Sequence, residues 1–174
     1  PVIAKVRGWC LGGGNVLATI CDLTIAAEDA IFGQVGPAMG SVETGYGTAL
    51  LANIVGEKRA KEIWFLCRRY SAAQAQAMGL VNAVVPAARL DAEVRGWCGE
   101  ILTKSPTAIA IAKRSFNAAT EYMRGIGGLG AQTVALYYGT DESREGVNAL
   151  MQRRKPDFRA ARAGKKKAAR RKKS

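Results

Sequence analysis

The 174-residue chain contains no histidine. That removes imidazole as a general base, proton shuttle or metal ligand unless a neighbouring chain lends one. Its four cysteines, Cys10, Cys21, Cys67 and Cys98, form no C-x-x-C pair. With no histidine beside them they spell no zinc site and read as reduced thiols, which places the protein in the cytoplasm. No stretch of eighteen apolar residues occurs, so no segment reads as membrane-spanning. An initiator methionine and a signal peptide are also missing. The chain opens inside a hydrophobic run, Pro1-Val2-Ile3-Ala4, and reads as a piece whose N-terminal part is absent. Acids are scarce: 14 against 26 basic residues, a net charge of +12. Nine of the basic residues and no acid fall in 159–174. Residues 1–158 therefore carry 17 basic and 14 acidic side chains, and the basicity belongs to a tail. A tail without aromatics could hold nucleic acid only non-specifically, and a solubilising disordered extension is the favoured reading.

What is present is an apolar pattern long enough for one domain. Val2–Val6 and Leu23–Ala26 are rich in β-branched residues and read as strands, with a very short third at Ile31–Gly33. A helix is expected from Asn15 to Cys21, after the break at Gly12-Gly13-Gly14. Helices follow from Tyr46, with Gly56 as a stop, and from the S-x-x-Q capping box at Ser71–Gln74, closed by Gly79. Leu80–Val85 reads as a strand ended by Pro86, and Leu90–Ile101 as an amphipathic helix. Ser105-Pro106 supplies an N-cap and a first-turn proline, and no strand is expected after it. The fold class is thus α/β over 1–104, helical over 105–158, with the basic tail at 159–174.

Two segments can carry chemistry. Glycines at 12–14, between a strand and a helix, let a backbone N–H approach a phosphate or an oxyanion, although a tight turn with no ligand explains an isolated triplet as well. That turn is neither a P-loop nor a dinucleotide fingerprint. Residues 32–47 hold five glycines and a proline in sixteen positions, costly to order for a mere connection. Within them Ser41 and Glu43 present a hydroxyl and a carboxylate two residues apart. The competing reading is that Ser41 caps the next helix and Glu43 favours its N-terminus.

The string G-W-C-L-G-G-G-N-V-L, then C-D-L-T-I-A and A-I-F-G-Q-V-G-P, resembles the crotonase (enoyl-CoA hydratase) superfamily across 1–158. The resemblance implies a ββα spiral followed by a helical oligomerisation region, an acyl-CoA substrate, and self-association as a trimer or hexamer. It implies that the Gly13 N–H is one of two oxyanion-hole donors for a thioester enolate. No cofactor is implied beyond the CoA of the substrate. The two hydratase glutamates are replaced by Val16 and Gly36. Gln34-Val35-Gly36-Pro37, Gly40-Ser41, Gly45-Tyr46-Gly47, Arg59–Trp64 and Tyr138–Glu142 are similar instead to 2-ketocyclohexanecarboxyl-CoA hydrolases and 1,4-dihydroxy-2-naphthoyl-CoA synthases, the former more closely. Both usually carry Asp where this chain has Glu43.

On that basis the expected reaction is retro-Dieckmann opening of a cyclic β-ketoacyl-CoA. Ser41 and Glu43 handle the water, and Tyr138 returns a proton. The matching tyrosine of the synthases comes from an adjacent subunit. Gln34 and Gly36 resemble a corner that binds bicarbonate in some synthases. Arg154, Lys155 and Phe158 resemble the segment that contacts the CoA phosphates and adenine.

Overall fold

The structure is a computed structural model that describes residues 1–43 and 45–163, including all their side chains except those of Tyr46 and Arg124. Strand β1 (Ile3–Val6) turns a corner at Gly8 (φ 64°) straight into β2 (Trp9–Leu11), and α1 (Gly13–Ile20) follows. The next layer repeats the pattern with β3 (Leu23–Ala27), β4 (Ile31–Gly33) and α2 (Tyr46–Val55). Strand β1 pairs in parallel with β3, Ile3 opposite Leu23, while β2 pairs in parallel with β4, Trp9 opposite Ile31. Each ββα turn therefore adds one strand to each of two sheets, and the intervening helix supplies the crossover that parallel pairing requires. Helix α3 (Glu57–Leu66), the antiparallel strand β5 (Arg69–Ser71), α4 (Ala72–Ala77) and β6 (Ala83–Val85) complete the sheets in the orders β1-β3-β6 and β2-β4-β5.

Alternation along β3 sends its side chains to two cores. Ala26 joins the main cluster with Phe32, Leu51, Ile63 and Trp64; Ile25 and Ala27 join Leu90 and the half-buried Val94 and Trp97. Leu90 and Trp97 come from α5 (Leu90–Leu102). All four cysteines are free, and burial pushes the Cys10 thiol up to about 11. Helices α6 (Pro106–Ala119), α7 (Arg124–Tyr138) and α8 (Asp141–Met151) follow with no strand among the described residues, as the sequence implied.

Four expectations need correction. Helix α1 begins at Gly13, because only Gly12 takes the left-handed turn (φ 54°). Strands β2 and β5, absent from the sequence reading, form by pairing with β4 on either side. The strand expected over Leu80–Val85 is only Ala83–Val85; Asn82 Oδ1 accepts the Thr24 N–H at 2.7 Å, so a side chain takes the place of a ladder bond. Residues 158–163 are helical rather than the start of a disordered tail, helped by alanines and by Asp157, whose Oδ1 accepts the Ala160 N–H at 2.9 Å. The rest of the expected tail lies outside the described residues.

The capping box at α4 forms as its sequence indicates: Ser71 Oγ accepts from the Gln74 N–H, and Gln74 Oε1 from the Ser71 N–H. Ser71→Ala is expected to lower the unfolding free energy by about 1 kcal/mol, read from the urea midpoint. An unchanged midpoint contradicts the cap.

Candidate functional site

A cavity of about 590 Å³ opens where the start of α1, the loop after β4, α3 and the two C-terminal helices converge. Gly13 borders it from the first turn of α1, whose amides have no intrahelical partner. A Cβ at Gly13 would meet nothing within 4 Å, so ligand atoms have room there.

The loop is folded on itself. The Gly36 carbonyl accepts the N–H groups of Met39 and Ser41 at 3.0 and 2.9 Å, closing a 3-10 turn over Pro37–Met39. A Cβ at Gly36 would lie 3.0 Å from the Ser41 carbonyl oxygen and 3.7 Å from the Trp64 ring. A side chain there would require the Ser41 carbonyl to give by a few tenths of an ångström.

Ser41 does not cap α2. Its hydroxyl lies 2.7 Å from the phenol oxygen of Tyr138, at the end of α7, and both border the cavity. Tyr137, its aromatic neighbour, packs edge-on at 6.0 Å and borders no part of the cavity. Burial, with smaller contributions from Glu142 and Tyr138, pushes the Tyr137 hydroxyl upward. Glu43 is the residue that serves the helix. Its Oε2 accepts the N–H groups of Gly45 and Thr48 at 2.7 and 3.1 Å, and its Oε1 that of Gly47 at 3.0 Å. Glu43 also borders the cavity.

Gln34 is 2% exposed and lines the cavity with Val35 and Gly36. Trp64, on α3, was not singled out from the sequence as a site residue. It borders the same cavity, and its Nε1–H is buried with no hydrogen-bond partner among the described residues. A buried indole donor normally finds an acceptor, so this orphan marks a place for one. Its only sequence signal is the Arg59–Trp64 string, whose periodicity says core. The remaining walls are apolar: Val16, Met39, Val147 and Leu150.

Three expected substrate contacts are not brought here. Arg154, Lys155 and Phe158 lie beyond α8 and do not line the cavity. Arg154 instead grips Glu145 with two nitrogens, at 2.5 and 2.9 Å, and donates to Gln152 Oε1. Lys155 is exposed and Phe158 half-buried. The G-x-G-x-x-G string at Gly125, Gly127 and Gly130 falls inside α7 rather than at a strand-to-helix turn, so it is no dinucleotide loop.

The family model for enoyl-CoA hydratase/isomerase matches residues 1–161. The chain belongs to the enoyl-CoA hydratase/isomerase family. A solved enoyl-CoA hydratase from Mycobacterium avium subsp. paratuberculosis K-10 is similar at 34% identity and a TM-score of 0.86, over 91% of this chain and 65% of that one. A carnitinyl-CoA hydratase from Mycobacterium avium gives 26% and 0.87, over 92% of this chain and 63% of that one. A methylmalonyl-CoA decarboxylase in complex with 2-nitronate-propionyl-CoA gives 27% and 0.80, over 91% and 62%. The chain thus spans 62–65% of the length of these structures. Its α/β architecture is the crotonase fold of the enoyl-CoA hydratase/isomerase family.

The Arg154 clamp generates a pH prediction. The Arg154 hydrogen bond, aided by the Asp157 N–H, holds the Glu145 carboxyl at about 2 against its ordinary 4.5. A folded value below the unfolded one stabilises the fold above pH ~4.5, and this is lost as pH falls toward 2. Glu145→Gln is expected to flatten the decline of stability between those pH values relative to wild type; parallel profiles contradict the clamp.

Proposed function

We propose that this family member opens a cyclic β-ketoacyl-CoA by hydrolytic retro-Dieckmann cleavage, of the kind that converts 2-ketocyclohexanecarboxyl-CoA to pimeloyl-CoA. The observation that carries the reading is the Ser41–Tyr138 hydroxyl pair, 2.7 Å apart, bordering the same cavity as Gly13. Val16 and Gly36 stand where the two hydratase carboxylates are expected, and a Cβ at Gly36 would crowd the Ser41 carbonyl.

Water, oriented by Ser41 and polarised by Glu43, adds through oxygen to the ring ketone. The tetrahedral adduct collapses to the acid, and the Cα–C bond breaks. Its electron pair passes to the thioester enolate, whose oxygen the Gly13 N–H stabilises together with a second donor. Glu43 takes one proton as the water oxygen adds and the adduct collapses. Tyr138 delivers its proton to Cα and regains one, by way of Ser41, from Glu43, and the new carboxylic acid releases the second proton of the water to solvent. Glu43 acts from a carboxylate whose position three helix amides fix. Among the described residues no Lys or Arg lines the cavity. A neutral ring ketone fits such walls better than an acyl group with a free carboxylate beside Glu43.

The alternative is ring closure by a 1,4-dihydroxy-2-naphthoyl-CoA synthase. The orphaned Trp64 Nε1–H favours it in one respect, since with Gln34 it fits a small anion such as bicarbonate. A bound bicarbonate would supply a proton acceptor. Self-association is part of the proposal, through α6 and α7. Their Ile111, Phe116, Leu129 and Leu136 are between 61% and 77% exposed in the single chain, an apolar surface that a second copy would cover.

The test offers the protein 2-ketocyclohexanecarboxyl-CoA and, separately, o-succinylbenzoyl-CoA, with products read by mass. Pimeloyl-CoA from the first and no turnover of the second is expected. Ring closure of the second without opening of the first overturns the hydrolase reading in favour of the synthase.

A further inference from the structure

We infer that Gly146 is a positioning residue that sets the Ser41–Tyr138 pair, a role that rests on the ring-opening reading for its catalytic consequence. Helix α8 buries Ser143, Gly146 and Ala149 on one face. A Cβ at Gly146 would lie 2.2 Å from the Met39 carbonyl oxygen and 2.7 Å from Gly40 Cα, all backbone that cannot swing aside. The contact is reciprocal: a Cβ at Gly40 would lie 2.9 Å from the Glu142 carbonyl oxygen and 3.0 Å from Gly146 Cα. Gly40 also takes φ 64°, where a side chain is strained. Two glycines thus let α8 lie backbone-on-backbone against the Pro37–Gly40 turn.

Both partners of the hydroxyl pair are tied to this point. Ser41 is the next residue after Gly40. Tyr138 lies two residues before Thr140, the N-cap of α8, whose hydroxyl accepts the Ser143 N–H at 3.2 Å. Val147 and Leu150, the α8 residues on the cavity wall, follow from the same docking. One added methyl must push the turn and helix apart by roughly 1 Å to reach ordinary contact. A 2.7 Å O–H···O bond does not survive that displacement.

The experiment pairs Gly146→Ala with Tyr138→Phe. Misplacement of this size is expected to lower kcat on the order of 100-fold, with KM changed less than about twofold, and the double variant should fall no further than Tyr138→Phe alone. A kcat for Gly146→Ala within about twofold of wild type, or losses that multiply in the double variant, overturns the inference. Thr140→Val, which loosens the start of α8 without adding bulk at the contact, gives the same readout if Gly146→Ala does not fold. A second arm needs no turnover: the 13Cζ tyrosine resonance of Tyr138 is expected to move on Ser41→Ala in the wild-type background and to stay put in Gly146→Ala. Equal movement in both backgrounds overturns the positioning role. Loss of that coupling in Gly146→Ala, together with a wild type that does not open the ring ketone, refutes the ring-opening reading alone.

Discussion

Main chain crowds against main chain along residues 33–40, and the site depends on that closeness. A Cβ at Gly33 would sit 2.6 Å from the Arg68 carbonyl, one at Gly36 3.0 Å from that of Ser41, and one at Gly40 2.9 Å from that of Glu142. The first contact seats β5 against β4, the second closes the turn that carries Ser41, and the third brings α8 over that turn. At such separations only glycine fits without moving backbone. The ordering entropy of so many glycines is set against packing on three sides. A loop that looks wasteful in sequence is a junction where the α/β spiral and the C-terminal helices share one wall.

The same junction explains the division of labour between Ser41 and Glu43. Both were candidates for capping and for chemistry, and sequence spacing alone does not separate them. Distance does. Glu43 gathers the N-cap amide and two first-turn amides of α2, while Ser41, held by the turn, meets a phenol that lies 97 residues away in the chain. That phenol belongs to the same chain, although the resemblance pointed to a tyrosine from a neighbouring subunit. With no histidine and no carboxylate at positions 16 and 36, the proposed chemistry rests on preorganised amides, two hydroxyls and one anchored acid.

Much of this was legible beforehand, for physical reasons. Local signals were faithful: the Ser71 capping box, the stop at Gly56 and the helix opened by Ser105-Pro106 all involve residues within four positions of one another. Strands β2 and β5 carry no signal of their own because each exists through pairing with β4, which is remote in sequence, and Asn82 shortens β6 through its bond to Thr24, 58 residues away. At the site, Gly13, Gln34, Gly36, Ser41, Glu43 and Tyr138 border one cavity, while Arg154 lies outside it and pairs with Glu145 of the preceding helix. Trp64 was hidden by its own hydrophobicity, since a stripe at helical spacing says nothing about an unpaired N–H.

In the proposed ring opening, water attacks a ring carbon and the leaving group is an enolate protonated from the Tyr138 side of the cavity. Isotopic labelling tests it most directly, using a single turnover of 2-ketocyclohexanecarboxyl-CoA in deuterated water enriched in oxygen-18. The account predicts a dicarboxylate monothioester with one deuterium on the carbon next to the thioester and the heavy oxygen in the distal carboxylate. Release of free CoA with the heavy oxygen in the carboxylate that replaces the thioester, the ring intact, would contradict it.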